Sequence, residues 1–217
     1  MRCSQLVRGL PAGGAWLFAV VSASWAQSDG ALPSGSAETQ SPPSVVSDRV
    51  RLAPEPTPIP PFTLTDHNSR SFTSSDLRGR TTLIFFGFTN CRSVCPPTME
   101  KLRLVARALD DAGHPLASVF ISVDGERDTP AVIRKFLEPF TPGFIGLTGP
   151  PQSVTPLAGA LSAVFFKGMP TDTKGGYDVE HTSQVYLLDR QGRLRATFYN
   201  APVDAMVATA RDVMHDG

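Results

Sequence analysis

The sequence has no surplus of charge of either sign. Its 217 residues contain 20 Lys and Arg against 20 Asp and Glu, so the formal net charge is zero. A protein that binds nucleic acid usually presents a basic surface to the phosphates, and this composition therefore predicts no nucleic-acid partner. Long hydrophobic runs are missing too. The apolar stretch at residues 15–23 is shorter than the ~20 residues of a comfortable membrane span.

That short stretch belongs to a predicted export signal. Arg2 and Arg8 precede it, and the small residues Ser24 and Ala26 occupy the positions expected around a cleavage site. We predict export to the periplasm, with the signal at residues 1–26 cleaved after Ala26. A signal that is not cleaved would act as a marginal anchor in the inner membrane, so a membrane tether stays open.

Cysteine is scarce, with three residues in the whole chain. Cys3 precedes the apolar stretch and leaves with a cleaved signal, so the mature chain keeps Cys91 and Cys95. In an exported protein such a pair is usually oxidised to a disulfide bond. A loop this short gains only about 2 kcal/mol from a disulfide in the chain-entropy model. A purely structural staple is therefore a weak explanation of the pair.

The segment at residues 27–58 is rich in Pro, Ser, Ala and Thr. It contains too little apolar surface to offset the entropy lost when a chain becomes ordered. We predict a disordered linker there and one folded domain at residues 59–217, with no internal repeat and no second domain.

Within that domain, strand and helix patterns alternate. The predicted order is a hairpin at 62–64 and around residue 72, a buried strand at 82–88, a helix from 99 to a stop at 113, a strand at 118–123, a helix at 129–140, a strand at 144–147, a helix at 152–166, a hairpin at 184–189 and 194–199, and a helix at 203–214. Sequential strand-helix-strand units place helices on both faces of a sheet, and the last hairpin makes that sheet mixed. The prediction is an α/β fold, a thioredoxin-like mixed sheet flanked by helices with an added N-terminal β-hairpin.

The cysteine pair lies where reactive groups collect in such a fold. Cys91 and Cys95 follow the apolar strand and precede a helix whose first turn accommodates Pro96 and Pro97. At a helix N-terminus, the dipole and the free N–H groups favour thiolate over thiol. The pair is therefore predicted to be chemically available, either for disulfide exchange or for binding a metal.

One of the four histidines has a position that fits a site with the cysteines. His67, His114 and His215 fall in a turn, at a helix end and in the C-terminal tail, where solvated surface residues are expected. His181 stands just before the strand at 184–189, at the end of a long loop. If that strand lies beside the one at 82–88, His181 is carried to the face that bears the cysteines.

Three motifs, in this order, resemble the Sco/SenC/PrrC family. They are FGFTNCRSVCPPTMEKL, ISVDGERDTPAVIRKF and DVEHTSQVYLLDRQG. The resemblance implies a copper-binding metallochaperone that acts in assembly of the copper centre of cytochrome c oxidase, with the metal bound by Cys91, Cys95 and His181. It also implies, as partner, the copper-bearing subunit of that oxidase or another copper-chaperone protein.

The chain departs from the family pattern close to these residues. Members commonly have Pro and Asp where Arg92 and Ser93 stand, and Asp and Ser around the histidine, where this chain has Glu180 and Thr182. Gly125 stands where Pro is common. Because a cation beside a thiolate stabilises it, we expect Arg92 to favour the ionised form of the neighbouring cysteine.

The donor set itself agrees with copper. Two thiolates and an imidazole suit Cu(I), and the same donors can hold Cu(II) with water or another donor. Zinc binds such a set as well, but no general acid or base is marked nearby, which favours copper. Asp124, Glu126 and Asp128 follow a strand end, where they either line the site or simply form the turn before Thr129.

The main alternative is a thiol-disulfide oxidoreductase that keeps partner cysteines reduced, with Cys91 and Cys95 as its redox-active pair. Such enzymes usually place two residues between their cysteines, and here there are three. They also share a cis-proline before the strand that faces the disulfide, where this chain has Ser183. The two activities are compatible, because the cysteines must be reduced to take Cu(I). A thiol peroxidase is a weaker interpretation, since Thr89 and Asn90 only faintly echo that family's active-site loop.

Overall fold

The computed structural model of the chain describes residues 49–140, 143–170 and 177–216. The predicted signal and most of the predicted linker lie outside these residues. The strands in the described part are β1 (Val50–Pro58), β2 (Thr63–Asp66), β3 (Ser71–Thr73), β4 (Thr82–Gly87), β5 (Ala117–Ser122), β6 (Phe144–Thr148), β7 (Phe165–Pro170), β8 (Tyr177–His181), β9 (Val185–Leu188) and β10 (Arg193–Phe198). The helices are α1 (Cys95–Asp110), α2 (Pro130–Leu137), α3 (Pro151–Ala160) and α4 (Val203–His215). None of these helices is long and apolar enough to cross a bilayer.

Eight strands form one mixed sheet in the order β1-β10-β9-β4-β5-β6-β2-β3. β4 pairs in parallel with β5, and β5 with β6, because α1 and α2 provide the crossover connections. The other neighbours in this sheet are antiparallel. β2 and β3 form the predicted N-terminal hairpin, which joins the sheet through β6. The predicted mixed sheet with an added hairpin is therefore confirmed.

The centre of the sheet is buried on both faces. All six residues of β4 and all six of β5 are buried, as expected for continuous apolar strands that are covered on either side. The largest fully buried side chains include Phe85, Phe86, Phe120 and Tyr186. Close packing of these rings makes the end of β4 a firm support for the loop that follows.

Local signals in the sequence mark where the helices begin. α1 starts at Cys95 with prolines in its first turn, where a missing N–H costs little. Thr129 caps α2, and its hydroxyl accepts a hydrogen bond from the N–H of Val132 at 3.4 Å. A 3-10 turn at Glu138–Phe140 completes the segment that was predicted as one helix.

The prediction of a linker is wrong at its C-terminal end. Residues 50–58 form β1, which pairs with β10 at the edge of the sheet, so this part of the predicted linker belongs to the folded domain. Proline lacks a backbone N–H and is tolerated in an edge strand whose unpaired side faces solvent. Pro54 and Pro56 fall where the register with β10 shifts, between Leu52 and Thr57, and proline is likewise tolerated at such irregular positions.

The helix predicted at residues 152–166 is too long. α3 ends at Ala160, and Phe165–Pro170 form β7. The long loop predicted before His181 is instead a hairpin of β7 and β8, a separate two-stranded ladder in which Phe165 pairs with His181. Short apolar runs fit a helix or a strand equally well, which explains the error.

Candidate metal centre

Both cysteines lie at the end of the central strand. Cys91 is in the loop after β4, Cys95 is the first residue of α1, and their exposed fractions are only 7% and 0%. The backbone N–H of Cys91 donates to the carbonyl of Phe88 at 3.2 Å, which tightens the loop. Gly87 makes room for the second sulfur, since a Cβ at that position would lie 2.9 Å from Cys95 Sγ. The strand end and the helix start thus bring the two sulfurs together.

The two thiols are free, and no disulfide joins them. The backbone N–H of Cys95 donates to Cys91 Sγ at 3.4 Å, and Ser93 Oγ lies 4.0 Å from the same sulfur. An N–H group at the start of α1 therefore points at Cys91, which is the helix N-terminal effect expected from the sequence.

The two thiols differ in acidity. Burial opposes ionisation of Cys91, but hydrogen bonds from Cys95 and from the Ser93 backbone outweigh it and lower its pKa to about 6. Burial and the neighbouring Cys91 sulfur raise the pKa of Cys95 well above its ordinary value. The stabilisation of the Cys91 thiolate thus comes mainly from hydrogen bonds, and not from the Arg92 cation that the sequence suggested.

His181, the last residue of β8, reaches both cysteines. Its Nε2 lies 3.6 Å from Cys95 Sγ, and the ligand atoms of Cys91, Cys95 and His181 all lie within 4.8 Å of one another. Its Nδ1 lies 2.9 Å from the carbonyl oxygen of Thr182, which can only accept, so Nδ1 carries the proton and Nε2 presents its lone pair. The ring packs edge-on against Phe85 and Phe88, with centroids 6.0 and 5.7 Å apart.

This donor set fits a soft metal ion. A metal bonded to one sulfur and one imidazole nitrogen, at trigonal or tetrahedral angles, separates those two atoms by about 3.6–3.8 Å. Cys95 Sγ and His181 Nε2 are already 3.6 Å apart. Two sulfurs with one neutral imidazole are the donors that Cu(I) prefers. The three residues singled out from the sequence are therefore brought together in a geometry that can close on a metal.

The acidic residues after β5 support the site instead of lining it. Asp128 is fully buried, and its carboxylate accepts hydrogen bonds from the N–H of Thr89 at 2.9 Å and the Thr89 hydroxyl at 2.6 Å. Ser122 Oγ donates to the same carboxylate at 2.7 Å. Burial raises the pKa of Asp128 against these hydrogen bonds. Since Thr89 begins the cysteine loop, Asp128 ties that loop to the end of β5.

A cavity of about 650 Å³ opens beside the cysteines, between the loop at residues 90–94 and strand β8. Cys91, Arg92 and His181 line it, so the candidate centre is accessible to a donor from another molecule. Ser183, predicted at the position of the cis-proline of oxidoreductases, is exposed and lines a neighbouring pocket with Val94.

The other three histidines do not join this cluster. His67 is more than the solvated turn residue predicted, because its Nδ1 accepts a hydrogen bond from the N–H of Gly146 at 3.1 Å and ties the β2–β3 hairpin to β6. The rings of His114 and His215 meet at 5.5 Å between centroids, where α1 and α4 end.

Sequence reasoning missed three residues that surround the start of β8. Arg127 and Lys167 place their cationic groups over the ring of Tyr177, at 3.7 and 3.9 Å from its centroid. Tyr177 is 50 residues from Arg127 along the chain, and no local pattern links such positions. Only the fold brings them together.

The SCO1/SenC family model matches residues 52–215. The chain belongs to the SCO1/SenC family. A relative of this SCO1/SenC domain, the SCO2-like protein of Rickettsia felis, is 35% identical over 138 residues, which are 64% of this chain and 67% of that protein.

Solved structures of relatives share the architecture. ScoI of Bradyrhizobium japonicum with copper bound has a TM-score of 0.64 and 35% identity, and the match covers 73% of this chain and 99% of that one. Yeast Sco1 with copper bound has a TM-score of 0.66 and 32% identity, and the match covers 72% of this chain and 88% of that one. The predicted thioredoxin-like fold of the SCO1/SenC domain is confirmed.

Proposed function

We propose that this protein binds copper through Cys91, Cys95 and His181 and acts as a metallochaperone in assembly of the copper centre of cytochrome c oxidase. The observation that carries the proposal is the convergence of the three ligand atoms within 4.8 Å. Two similar proteins have been solved with copper bound. The donor set suits Cu(I), and Cu(II) can occupy it when another donor completes the shell.

Each of the three residues has a distinct part in taking up the metal. The lowered pKa of the Cys91 thiol favours its thiolate at neutral pH, so this sulfur offers the first bond. Cys95 is protonated in the free protein, so copper binding displaces its proton. His181 completes the shell through Nε2, because its Nδ1 is occupied by the Thr182 carbonyl. Three ligands beside an open cavity leave a position at which a partner's donor can attack.

The test is anaerobic loading of the reduced protein with Cu(I), followed by competition with a chelator of moderate affinity. We expect one equivalent of copper to stay on the parent protein and to be lost from Cys91→Ala and His181→Ala. Retention of copper at parent affinity in both variants would refute the proposal. Arg103→Ala, which breaks an exposed ion pair with Glu100 on α1, is a control that should retain copper.

Thiol-disulfide exchange is a second candidate activity, favoured by the unequal acidity of the thiols. Cys91 has a lowered pKa and lines the cavity, whereas Cys95 has a raised pKa and is fully buried, as in an attacking and resolving pair. Disulfide reductase turnover of the copper-free protein measures this activity. Full turnover in His181→Ala, which lacks one copper ligand, would favour the enzyme; no turnover in the parent would exclude it.

For the cellular setting, we propose export to the periplasm, with or without an inner-membrane tether, and delivery to the copper-bearing subunit of the oxidase or exchange with another copper-chaperone protein. The predicted signal at residues 1–26 supports export. Fractionation of the native host, with copper analysis of the protein from each fraction, tests this setting. Recovery from the cytoplasm alone would refute it.

A further inference from the structure

We propose that a cluster of charged and aromatic side chains at the start of β8 positions His181, at the end of that strand, as the third metal ligand. We call this cluster the Tyr177 clamp. Its members are Asp124, Glu126, Arg127, Lys167 and Tyr177. The inference rests on the copper site proposed above and concerns how that site keeps its histidine.

The hairpin that carries His181 needs such support. In the described part of the chain, β7 and β8 pair only with each other and not with the eight-stranded sheet. Successive residues of a strand point to opposite faces, so Tyr177, Val179 and His181 share one face of β8. Val179 is only 8% exposed and packs into the core between them. The ring of His181 meets Phe85 and Phe88, and Tyr177 sets where the strand that carries it begins.

Tyr177 is held by two cations and a buried carboxylate. The guanidinium carbon of Arg127 and the ammonium of Lys167 lie 3.7 and 3.9 Å from the centre of its ring. Its hydroxyl donates to Asp124 Oδ1 at 2.6 Å, and its carbonyl accepts from Arg127 Nη1 at 2.8 Å. Asp124 also pairs with Arg127, and Glu126 pairs with Lys167 at 2.9 Å. These contacts fix both the backbone and the ring at the start of β8.

One short loop holds both halves of the metal centre. Asp124 and Arg127, in the segment between β5 and α2, form hydrogen bonds with Tyr177 at the start of β8. Asp128, from the same segment, accepts two hydrogen bonds from Thr89 at the start of the cysteine loop. The spacing between the cysteines and His181 is therefore set by a segment that contains no metal ligand.

Loss of the clamp should release the histidine and leave the cysteines in place. Removing a residue that orients a metal ligand typically weakens metal affinity about 10–100-fold. We expect the copper in such a variant to be bound by the two sulfurs alone. The strand β8 keeps its pairing with β7, so the change is one of orientation and not of folding.

The experiment compares Arg127→Gln and Tyr177→Ala with the parent as full-length, reduced protein loaded with Cu(I). X-ray absorption at the copper edge counts sulfur and nitrogen donors, and chelator competition gives the affinity. The expected result is two sulfurs and one nitrogen in the parent, two sulfurs in the variants, and an affinity lower by about tenfold or more. Tyr177→Phe keeps the ring beneath both cations and loses one hydrogen bond, so its loss should be smaller.

A double variant separates positioning from general stability. If the clamp acts through His181, then Arg127→Gln in a His181→Ala background, measured against a chelator weak enough for His181→Ala to keep copper, should weaken binding no further than His181→Ala alone. An undiminished effect of Arg127→Gln in that background would show that the clamp acts elsewhere and would overturn the proposal.

Tyr199→Ala is the matched control, because Arg51 lies 5.2 Å from the centre of the Tyr199 ring at the β1 edge of the sheet. Its copper donors and affinity should equal those of the parent. If Arg127→Gln and Tyr177→Phe both keep one nitrogen donor and the copper affinity of the parent, the clamp proposal is refuted and the proposed copper site is not. Failure of the parent to retain copper overturns the proposed function itself. Arg127→Gln and Tyr177→Phe are sufficient for the test if Tyr177→Ala does not fold.

Discussion

The two halves of the candidate metal centre are supported in different ways. Cys91 and Cys95 follow β4, whose six residues are all buried in the middle of the sheet. His181 ends a two-stranded hairpin whose other strand exposes 57% of Phe166 and 83% of Met169. The cysteines are thus fixed by a packed core, whereas the histidine lies on a separate hairpin whose second strand begins in polar and cation–π contacts at Tyr177.

This difference indicates how a metal could be held tightly and still be transferred. A closely packed core deforms little, but a two-stranded hairpin outside the main sheet can open at a lower free-energy cost. We expect His181, on the β7–β8 hairpin, to dissociate from the metal before the two cysteines do. The metal would then rest on two sulfurs beside the cavity, where a donor from a partner can take the third position.

The largest effect should follow from disturbing the packed core around β4, the strand that precedes the cysteines. Phe86→Ala removes a ring that is 1% exposed and lies 5.9 Å from the ring of Tyr186, so unfolding free energy should fall by about 3–5 kcal/mol. Phe166→Ala, on the exposed side of the hairpin, should change it by less than about 0.5 kcal/mol. Urea denaturation measures both variants. Equal losses of unfolding free energy in the two variants would show that the core and the hairpin are packed alike, contrary to the prediction.

Asp128→Ala should have the next largest effect, because it frees the cysteine loop from β5. The variant leaves the donors of Thr89 and Ser122 without their buried acceptor. Unpaired buried groups of this kind cost about 1–3 kcal/mol, and we expect a total loss of about 3 kcal/mol. Denaturation and chelator competition should both register the change. The exposed Asp111→Ala is the control, and the prediction fails if the two variants behave alike.

Alkylation of the copper-free protein should distinguish the two sulfurs. The thiolate fraction of Cys91 increases as the pH rises through about 6, so its rate with iodoacetamide should level off near neutral pH. An ordinary thiol would keep gaining reactivity to about pH 9. The rate at Cys95 should be about one tenth of that at Cys91 or lower, because burial raises the pKa of Cys95 and favours the unreactive thiol. Peptide mass spectrometry follows each site, and a Cys91 rate that climbs steadily to pH 9 contradicts the prediction.

The smallest effect is expected from Lys167→Ala, which removes an exposed ion pair with Glu126 at 2.9 Å and one of the two cations over the Tyr177 ring. The Tm should stay within about 2 °C of the parent value. Amide exchange in β8 should increase slightly at low salt, and this difference should vanish at 1 M salt, where the Debye length is about 3 Å. A fall in Tm as large as that of Asp128→Ala would contradict the prediction and show that the hairpin contributes to stability as a core element does.

Patterns of local sequence predicted most of the fold. The short apolar runs of β4 and β5 are rich in β-branched and aromatic residues, which favours strands, and proline and threonine mark the starts of α1 and α2. β1 escaped prediction because Pro54, Pro56 and Pro58 argue against a strand unless its edge position is already known. β7 escaped because its apolar residues continue the pattern of α3.

The candidate site was predictable only in part. Spacing and family motifs pointed to Cys91, Cys95 and His181, and the structure brings their ligand atoms together. The opposite acidities of the two thiols were not predictable, because they depend on burial and on which sulfur receives the Cys95 N–H. The same holds for Tyr177, whose partners come from distant parts of the chain.

Gly87 shows how much of the site depends on an atom that is not there. A Cβ at this position would lie 2.9 Å from Cys95 Sγ and 2.9 Å from the Phe120 ring. Non-bonded heavy atoms prefer about 3.5–4.0 Å, so the sulfur would retreat by roughly 0.5 Å. Metal–ligand distances tolerate errors of only about 0.2 Å. One added methyl group could therefore turn a metal-binding dithiol into two ordinary thiols, with every ligand still present in the chain.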